Sequence, residues 1–502
     1  MRTISIFLFF LFSTCIFAQD GSLDTSFGDN GILELNLTSL LGATPLNVFN
    51  HNIVELPDGS YILYGSYNIN STSGNSLFII KVNSSGELVN TFGNNGVVTL
   101  DTPSQGLFHS QKIWVKSNQK ILLSNHDFIS GVDVYYITQL NTDGSLDTSF
   151  GTNGRIYPFS GTTLVRAELT IDDKLIVAKG KTIAEGTGLQ FKKYLQNGQI
   201  DSSFGTNGVS NASFANDALL IRDFKLNENG AMFVASSVQD FNNPDLLLIT
   251  KHLPNGTLDL SFSDNGIVTS PVLFEYYNRV KLDLFANEGV LITQSQIPGG
   301  SNGDTIYKLT ASGELATSFG SGGFLNYSAP LADLFIQENQ RILFLAHNYG
   351  DPILFPGGPF QIVRFYNNGE PDTSINFETE QTDLYRQYIY FTTDSNGKIV
   401  ISAVDWNDSS ITLFRLLNNP LGNEENKIDS LQIFPNPANN VLQITCNQCN
   451  LKGVDYKIVD STGKVIVTTV FESNNPLIPI SSLSDGLYFL HTSGATVRFI
   501  KK

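Results

Sequence analysis

The chain has 502 residues, 41% of them apolar, with 47 acidic against 30 basic residues and a formal net charge of −17. That field repels nucleic acid and anionic membrane surfaces, and the apolar and aromatic content can bury a core, which excludes global disorder. The length exceeds one compact core and suits a closed repeat array followed by a further domain.

At the start of the chain, Arg2 precedes the apolar run 4–12, and Cys15-Ile16-Phe17-Ala18 leads to Gln19. Positive residue, short apolar core and small residue make a secretory leader over 1–18, with cleavage expected after Ala18. The run is too short for a comfortable membrane span. A lipoprotein leader with Cys15 lipidated ranks second, because Phe12-Ser13-Thr14 is a poor lipobox. No later stretch reads as a transmembrane helix, so the mature chain is expected to be soluble and exported.

One phrase then recurs: GSLDTSFGDNG at 21–31, GELVNTFGNNG at 86–96, GSLDTSFGTNG at 144–154 and GQIDSSFGTNG at 198–208. It returns as GTLDLSFSDNG at 256–266, GELATSFGSGG at 313–323 and a decayed GEPDTSINF at 369–377. The aromatic position falls at Phe27, Phe92, Phe150, Phe204, Phe262 and Phe319, with Ile375 in the last copy. The spacings of 54 to 65 residues mean one structural unit repeated. Between markers the same strand signals return: Val97-Val98-Thr99-Leu100, then Lys112–Lys116, then Lys120–Ser124, then Val134–Leu140. Turns such as Pro57-Asp58-Gly59 and Ser395-Asn396-Gly397-Lys398 between apolar runs are hairpin signals. Four short antiparallel strands in just under sixty residues make a propeller blade. Six intervals and a final set ending at Ile411–Leu417 predict a seven-bladed β-propeller over 19–417, whose closure can borrow strands from either end. A β-helix is the rival, although it would show a shorter period and fewer hairpins.

The phrase has a structural reading. Gly21 and Gly31 permit positive φ, and Asp24, Thr25 and Ser26 are turn-capping types. Leu23 and Phe27 would both point inward across one helical turn, and the phrase would link one blade to the next. Calcium is the competing reading. The alternating carboxylates of a calcium loop are missing, however, and copies two and six have lost the Asp equivalent to Asp24. No cofactor and no metal site is expected.

These residues resemble the delta-60 repeat family of bacterial secreted proteins over about Gly21 to Leu417. The resemblance implies a propeller-like fold with no defined catalytic activity.

Residues 418–430 (NNPLGNEENKIDS) read as a polar linker. Beyond it, strands at Val441–Thr445, Tyr456–Val459, Val465–Thr469, Leu487–His491 and Val497–Ile500 predict a small C-terminal β-sandwich over 431–502. Four elements occur in order: Phe434-Pro435-Asn436-Pro437-Ala438, then Asp460–Val465, then Ile480–Phe489, then the basic end Arg498–Lys502. They resemble the type A C-terminal sorting domain of the type IX secretion system in Bacteroidetes. The resemblance implies that the type IX machinery is a partner and that the module directs passage across the outer membrane to the cell surface or the medium. Cys446 and Cys449 fall outside that pattern. A small disulfide loop suits an exported protein, ahead of a zinc site or a redox pair.

Chemistry leaves no linear signature. The histidines His51, His109, His126, His252, His347 and His491 do not cluster, and neither H-E-x-x-H nor G-x-S-x-G occurs. His126-Asp127 and Asp405-Trp406 read as blade-end residues, and Asp217, Asp240 and Asp245 could supply carboxylates on loops. No catalytic residue is assigned. Two functions remain: a surface or secreted binding or structural module, such as an adhesin or glycan-binding protein, or a secreted hydrolase acting on polysaccharide or peptide. The extracellular ligand, glycan or protein, is not named by the sequence.

Overall fold

The computed structural model describes residues 20–418 and 432–502 apart from short stretches, the longest being 348–359, 102–111 and 296–303. The leader 1–18, most of the linker, and Cys446 and Cys449 lie outside the described residues. Two compact units divide the chain at Asn419/Pro420.

In the first unit the apolar alternation and Asp-Gly or Asn-Gly turns become seven four-stranded antiparallel sheets. Sheet 1 comprises Asn47–Glu55, Tyr61–Asn68, Ser76–Val82 and Val97–Asp101. Sheets 2 to 6 repeat the pattern, with first strands at Ile113–Val115, Val165–Leu169, Leu219–Leu226, Arg279–Leu284 and Leu331–Ile336. Sheet 7 contains Arg386–Thr393, Ile399–Asp405 and Ser410–Leu416, and its fourth strand is Ile32–Asn36 from the start of the chain. Second strands such as Met232–Val238 and Ile399–Asp405 are buried along their whole length. Their continuous apolar runs suit a strand covered on both faces.

Each sheet packs its face on the next. Sheets 1 and 2 share a core of Tyr64, Ile79, Phe92, Ile121 and Leu123. Equivalent cores join 2 to 3, 3 to 4, 4 to 5, 5 to 6 and 6 to 7. A seventh core, with Phe27, Leu63 and Phe78 against Val400 and Leu413, returns from sheet 7 to sheet 1. The layers therefore complete a circle, and the fold is an all-β propeller. The described residues of this unit hold one short helix, Leu37–Leu41, capped by Asn36.

The repeated phrase does not connect successive sheets. Copy two, 86–96, lies between Ser76–Val82 and Val97–Asp101, which pair with each other. Copies two to six thus join the third and fourth strands of one sheet, the first copy leads into a fourth strand whose third strand lies at Ser410–Leu416, and the last runs into its own fourth strand, Pro371–Glu378. The expected pair of inward anchors is corrected too. Leu23 bridges Leu416 and packs in the layer between sheets 6 and 7, whereas Phe27 enters the layer between sheets 7 and 1. Neighbouring sheets meet at the phrase through hydrogen bonds: Gly28 N donates to Ser85 O (2.8 Å), Gly93 N to Asp143 O (2.7 Å) and Gly151 N to Asn197 O (2.8 Å). From the second copy on, the first glycine of each copy packs against the aromatic ring of the copy before it. A Cβ on Gly86 would lie 2.9 Å from Gly28 N, and Gly86 has φ +88, so this position requires glycine.

The second unit pairs a three-stranded sheet (Gln432–Phe434, Val441–Thr445, Leu477–Pro479) with a four-stranded one. The latter runs in the order Val465–Val470, Asp455–Asp460, Gly486–Thr492, Thr496–Lys501. Leu442, Ile444, Ile458, Leu490 and Phe499 are among the side chains buried in their common core. Leu477–Pro479 is a strand beyond the expected ones.

Candidate functional site

The phrase is a turn held by charge. In five copies the Asp Oδ1 accepts from the backbone N and hydroxyl of the Ser two residues on, as Asp24 does from Ser26 at 3.1 and 2.7 Å. Asp147, Asp201, Asp259 and Asp372 repeat this with Ser149, Ser203, Ser261 and Ser374. The second oxygen faces a cation from an adjoining turn or strand: Lys398 (2.5 Å) and Arg415 (2.7 Å) on Asp24, Lys120 (2.7 Å) on Asp147, Lys174 (3.5 Å) on Asp201, Lys251 (3.6 Å) on Asp259 and Arg364 (2.6 Å) on Asp372. Burial works against ionisation of Asp24 and Asp147. The hydrogen bonds from Lys398 and Ser26, and from Lys120 and Ser149, outweigh it and hold both well below the ordinary carboxylate range. In these five copies a neighbouring ammonium or guanidinium thus pairs the carboxylate, which ties the turn to its own sheet.

A second set of charges lines the first strands, which touch their neighbours at six of the seven sheet-to-sheet junctions and so surround the centre of the ring. Asp223 Oδ2 accepts from Leu282 N of the next sheet (2.7 Å), and Asp283 Oδ2 from Ile336 N of the sheet after (2.7 Å). Lys225 lies 3.8 Å from Asp283, Lys281 3.5 Å from Asp333, and Lys112 2.5 Å from Glu168. Arg166 donates to the carbonyl of Arg222 at 3.0 and 3.2 Å. Burial would lower Lys225, but Asp283 and Asp223 outweigh it and raise it above the ordinary lysine value; Asp333 does the same for Lys281. Asp283 sits in the same cluster: burial, with Asp223 nearby, holds its carboxyl above the ordinary value despite Lys225 and the backbone donors of Ile336 and Leu284. The sequence reading missed this ladder. Its signal was an Asp before an apolar residue in three successive units, at Asp223-Phe224, Asp283-Leu284 and Asp333-Leu334.

The two ends of the ring differ. Antiparallel neighbours place first-to-second and third-to-fourth connections at one end, and the remaining connections at the other. All seven first-to-second turns span five residues: 56–60, 116–120, 170–174, 227–231, 285–289, 337–341 and 394–398. At the opposite end the second-to-third connections range from two residues (130–131) to twelve (348–359). Connections to the next sheet there range from three (328–330) to eleven (102–112).

The residues singled out in the sequence do not converge. His126 lies on a second strand opposite Tyr135, and Asp405 is buried on a second strand of sheet 7. His252 is fully buried beside Thr250 and Phe191. Asp217, Asp240, Asp245, Trp406, Cys446 and Cys449 lie outside the described residues, as does the side chain of Asp127. Among the described residues no group of three or more His, Cys, Asp or Glu is arranged to hold a metal, and no helix is long and apolar enough to cross a membrane.

Comparison with known proteins fits both units. Residues 121–150 match a domain of unknown function (DUF5122) described as a β-propeller. Residues 432–502 match the secretion system C-terminal sorting domain. The chain is thus a β-propeller protein carrying a C-terminal sorting domain of the type IX kind, which marks it for export to the cell surface or the medium. Among solved structures, one similar chain is PorZ, described as an essential bacterial surface component of the type-IX secretion system of Porphyromonas gingivalis. It shows 10% identity and a TM-score of 0.31, with 89% of this chain and 69% of that one covered. A protein of unknown function from Dyadobacter fermentans is 9% identical (TM-score 0.41; 77% and 100% covered). The intramolecular trans-sialidase of Ruminococcus gnavus is 11% identical (TM-score 0.35; 74% and 95% covered). Likeness at this level bears on neither substrate nor partner. No curated protein matches the chain.

Proposed function

We propose that the protein is an exported propeller that binds an extracellular glycan or protein through the end carrying its variable connections. The contrast between the two ends carries this reading. Seven turns of identical length stand at one end, and connections of two to twelve residues stand at the other. A fixed scaffold presenting variable loops is how rigid β folds build recognition surfaces. The leader over 1–18 would deliver the chain to the periplasm, and the sorting domain would carry it outward.

The charge ladder supports binding over hydrolysis. A glycosidase needs two carboxylates poised across a bond, one kept protonated. Here Glu168 and Asp333 each face a lysine and Asp223 accepts a backbone N–H, whereas Asp283, 3.8 Å from Lys225, is held above its ordinary value by burial and is the one candidate for the protonated role. The test is a glycan and surface-protein binding screen on the purified mature chain, repeated after replacing 348–359 or 296–303 with a short Gly-Ser turn. Loss of binding with unchanged thermal stability is expected. Turnover of a polysaccharide or peptide, abolished by Asp283→Asn, would favour the hydrolase instead.

A further inference from the structure

The four-stranded sheet of the sorting domain has two edges, and they are treated differently. On one side, Thr496–Lys501 is sealed by the Phe-Pro-Asn-Pro-Ala segment. Ala438 N donates to Ile500 O (2.8 Å), Lys502 N to Ala438 O (2.9 Å), and Ile500 N to Asn436 Oδ1 (2.9 Å). Asn436 Nδ2 donates in turn to Arg498 O (3.1 Å). The other edge is Val465–Val470, and among the described residues no strand pairs with its outer side.

That open strand lacks every usual protection. Its sequence, Val-Ile-Val-Thr-Thr-Val, is β-branched at all six positions, with no charge, proline or glycine. Val465, Ile466 and Val470 are 50%, 41% and 45% exposed. The propeller's outer strands, which are also edges, are blunted or short: Val209–Ala212 and Phe324–Tyr327 carry no charge or proline but have only four residues. Arg155–Ser160 carries Arg and Pro, Pro371–Glu378 carries Pro, Asp and Glu, Ile32–Asn36 carries Glu, and Ile267–Thr269 is only three residues long. A long neutral β-branched edge is an aggregation hazard that folded proteins remove unless it serves to pair with something. In this chain the sheet seals one edge and leaves the other bare.

We infer that the Val465–Val470 edge is the docking strand of the sorting domain, and that its occupant is an extended, uncharged strand of a protein of the export machinery. The unpaired edge supplies a row of backbone donors and acceptors, which only another extended backbone can satisfy along its length. Apolar and threonine side chains flank that row, so a partner strand of β-branched or other uncharged residues fits and a charged one is left unpaired. This inference rests on the sorting role of residues 432–502.

The test uses the full-length chain expressed in a bacterium with type IX secretion. The triple variant Val465→Lys/Ile466→Lys/Val470→Lys places charge on exposed positions and leaves the core side chain Val467 in place. Export should fall at least tenfold, with folded protein accumulating in the periplasm and an unchanged thermal unfolding curve. Leu477→Lys, at an exposed apolar site on the other sheet, should export normally. A photo-crosslinking residue replacing Ile466 should couple to an export component in living cells, whereas one replacing Leu477 should not. Normal export of the triple variant overturns the inference. So does a strand-dependent dimer of the purified chain, seen by sedimentation and lost in the triple variant while export is unaffected, because the edge would then serve a second copy. Deletion of 432–502 separates the two ideas: if the truncated chain is still exported, the sorting role itself fails.

Discussion

Five copies of the repeated phrase keep their aspartate, and two do not, with Val89 in sheet 1 and Ala316 in sheet 5 in its place. The cation that would face it persists in both. In sheet 1, Lys81 turns to Asp58 at 3.0 Å. In sheet 5, Lys308 donates to the carbonyl of Asn367 (3.0 Å) and lies 3.7 Å from the centre of the Phe285 ring. The buried ring and the glycine contacts are unchanged in both, since Phe92 and Phe319 are each 1% exposed. The aromatic anchor and glycines therefore define the unit, while the aspartate is a replaceable way of satisfying a cation and capping a turn.

The largest expected effect comes from removing the aromatic anchor, which six copies keep and Ile375 replaces in the last. Phe150→Ala should destabilise the propeller by about 3–5 kcal/mol, read from denaturant unfolding, because it opens a cavity between sheets 2 and 3. A cost no greater than that of Asp147→Asn would break the ranking. Asp147→Asn should itself cost about 2–3 kcal/mol, since Lys120 loses its charged partner and the turn keeps its cap only in part.

The acid limb sharpens the contrast. Folded Asp147 and Asp372 ionise more readily than in the unfolded chain. Their contribution is thus fully present above the unfolded carboxylate value near 4 and is lost as pH falls through the lower folded values. The thermal midpoint should drop below about pH 4, and Asp147→Asn should flatten that drop, whereas Val89→Ala should leave it unchanged. His252 acts in a higher window. Burial pushes it down from 6.5 to about 3, so it stabilises the fold above about pH 6.5, and that contribution is lost as the medium is acidified toward 3. His252→Gln should remove the slope between those values.

The smallest effect is a gain. Ala316→Asp recreates the full phrase beside Ser318 and Lys308, and should stabilise by about 0.5–1 kcal/mol through the restored turn cap. A loss of stability would mean that the contact of Lys308 with Phe285 is worth more than the capped turn.

Much of the fold was legible because the phrase recurs in phase and hairpin turns alternate with apolar runs. Gly86 and Phe92 are required by positive φ and burial, and both requirements leave a mark on composition. The charge ladder was less legible, because Asp223, Asp283 and Asp333 act across sheets and their partners lie in the next unit of the chain. The open strand of the sorting domain reads in sequence as any other β run. Only the pairing order shows that Thr496–Lys501 is sealed by Asn436 and Ala438 while Val465–Val470 is not.

By itself the sequence determined the unit, its repetition, the all-β class and the change of module after Leu417. These follow from local chemistry: glycine conformations, turn caps and the two-residue alternation of strands. Tertiary structure decided the phase. A periodic sequence says how often a unit returns and leaves open where each sheet begins. Here copies two to six of the phrase fall inside a sheet, between its third and fourth strands, and the strand after the first copy, Ile32–Asn36, completes the sheet built by the last repeat. That choice belongs to pairing between Ile32 and Phe414, residues almost four hundred positions apart, and it closes an edge that a linear array would leave exposed.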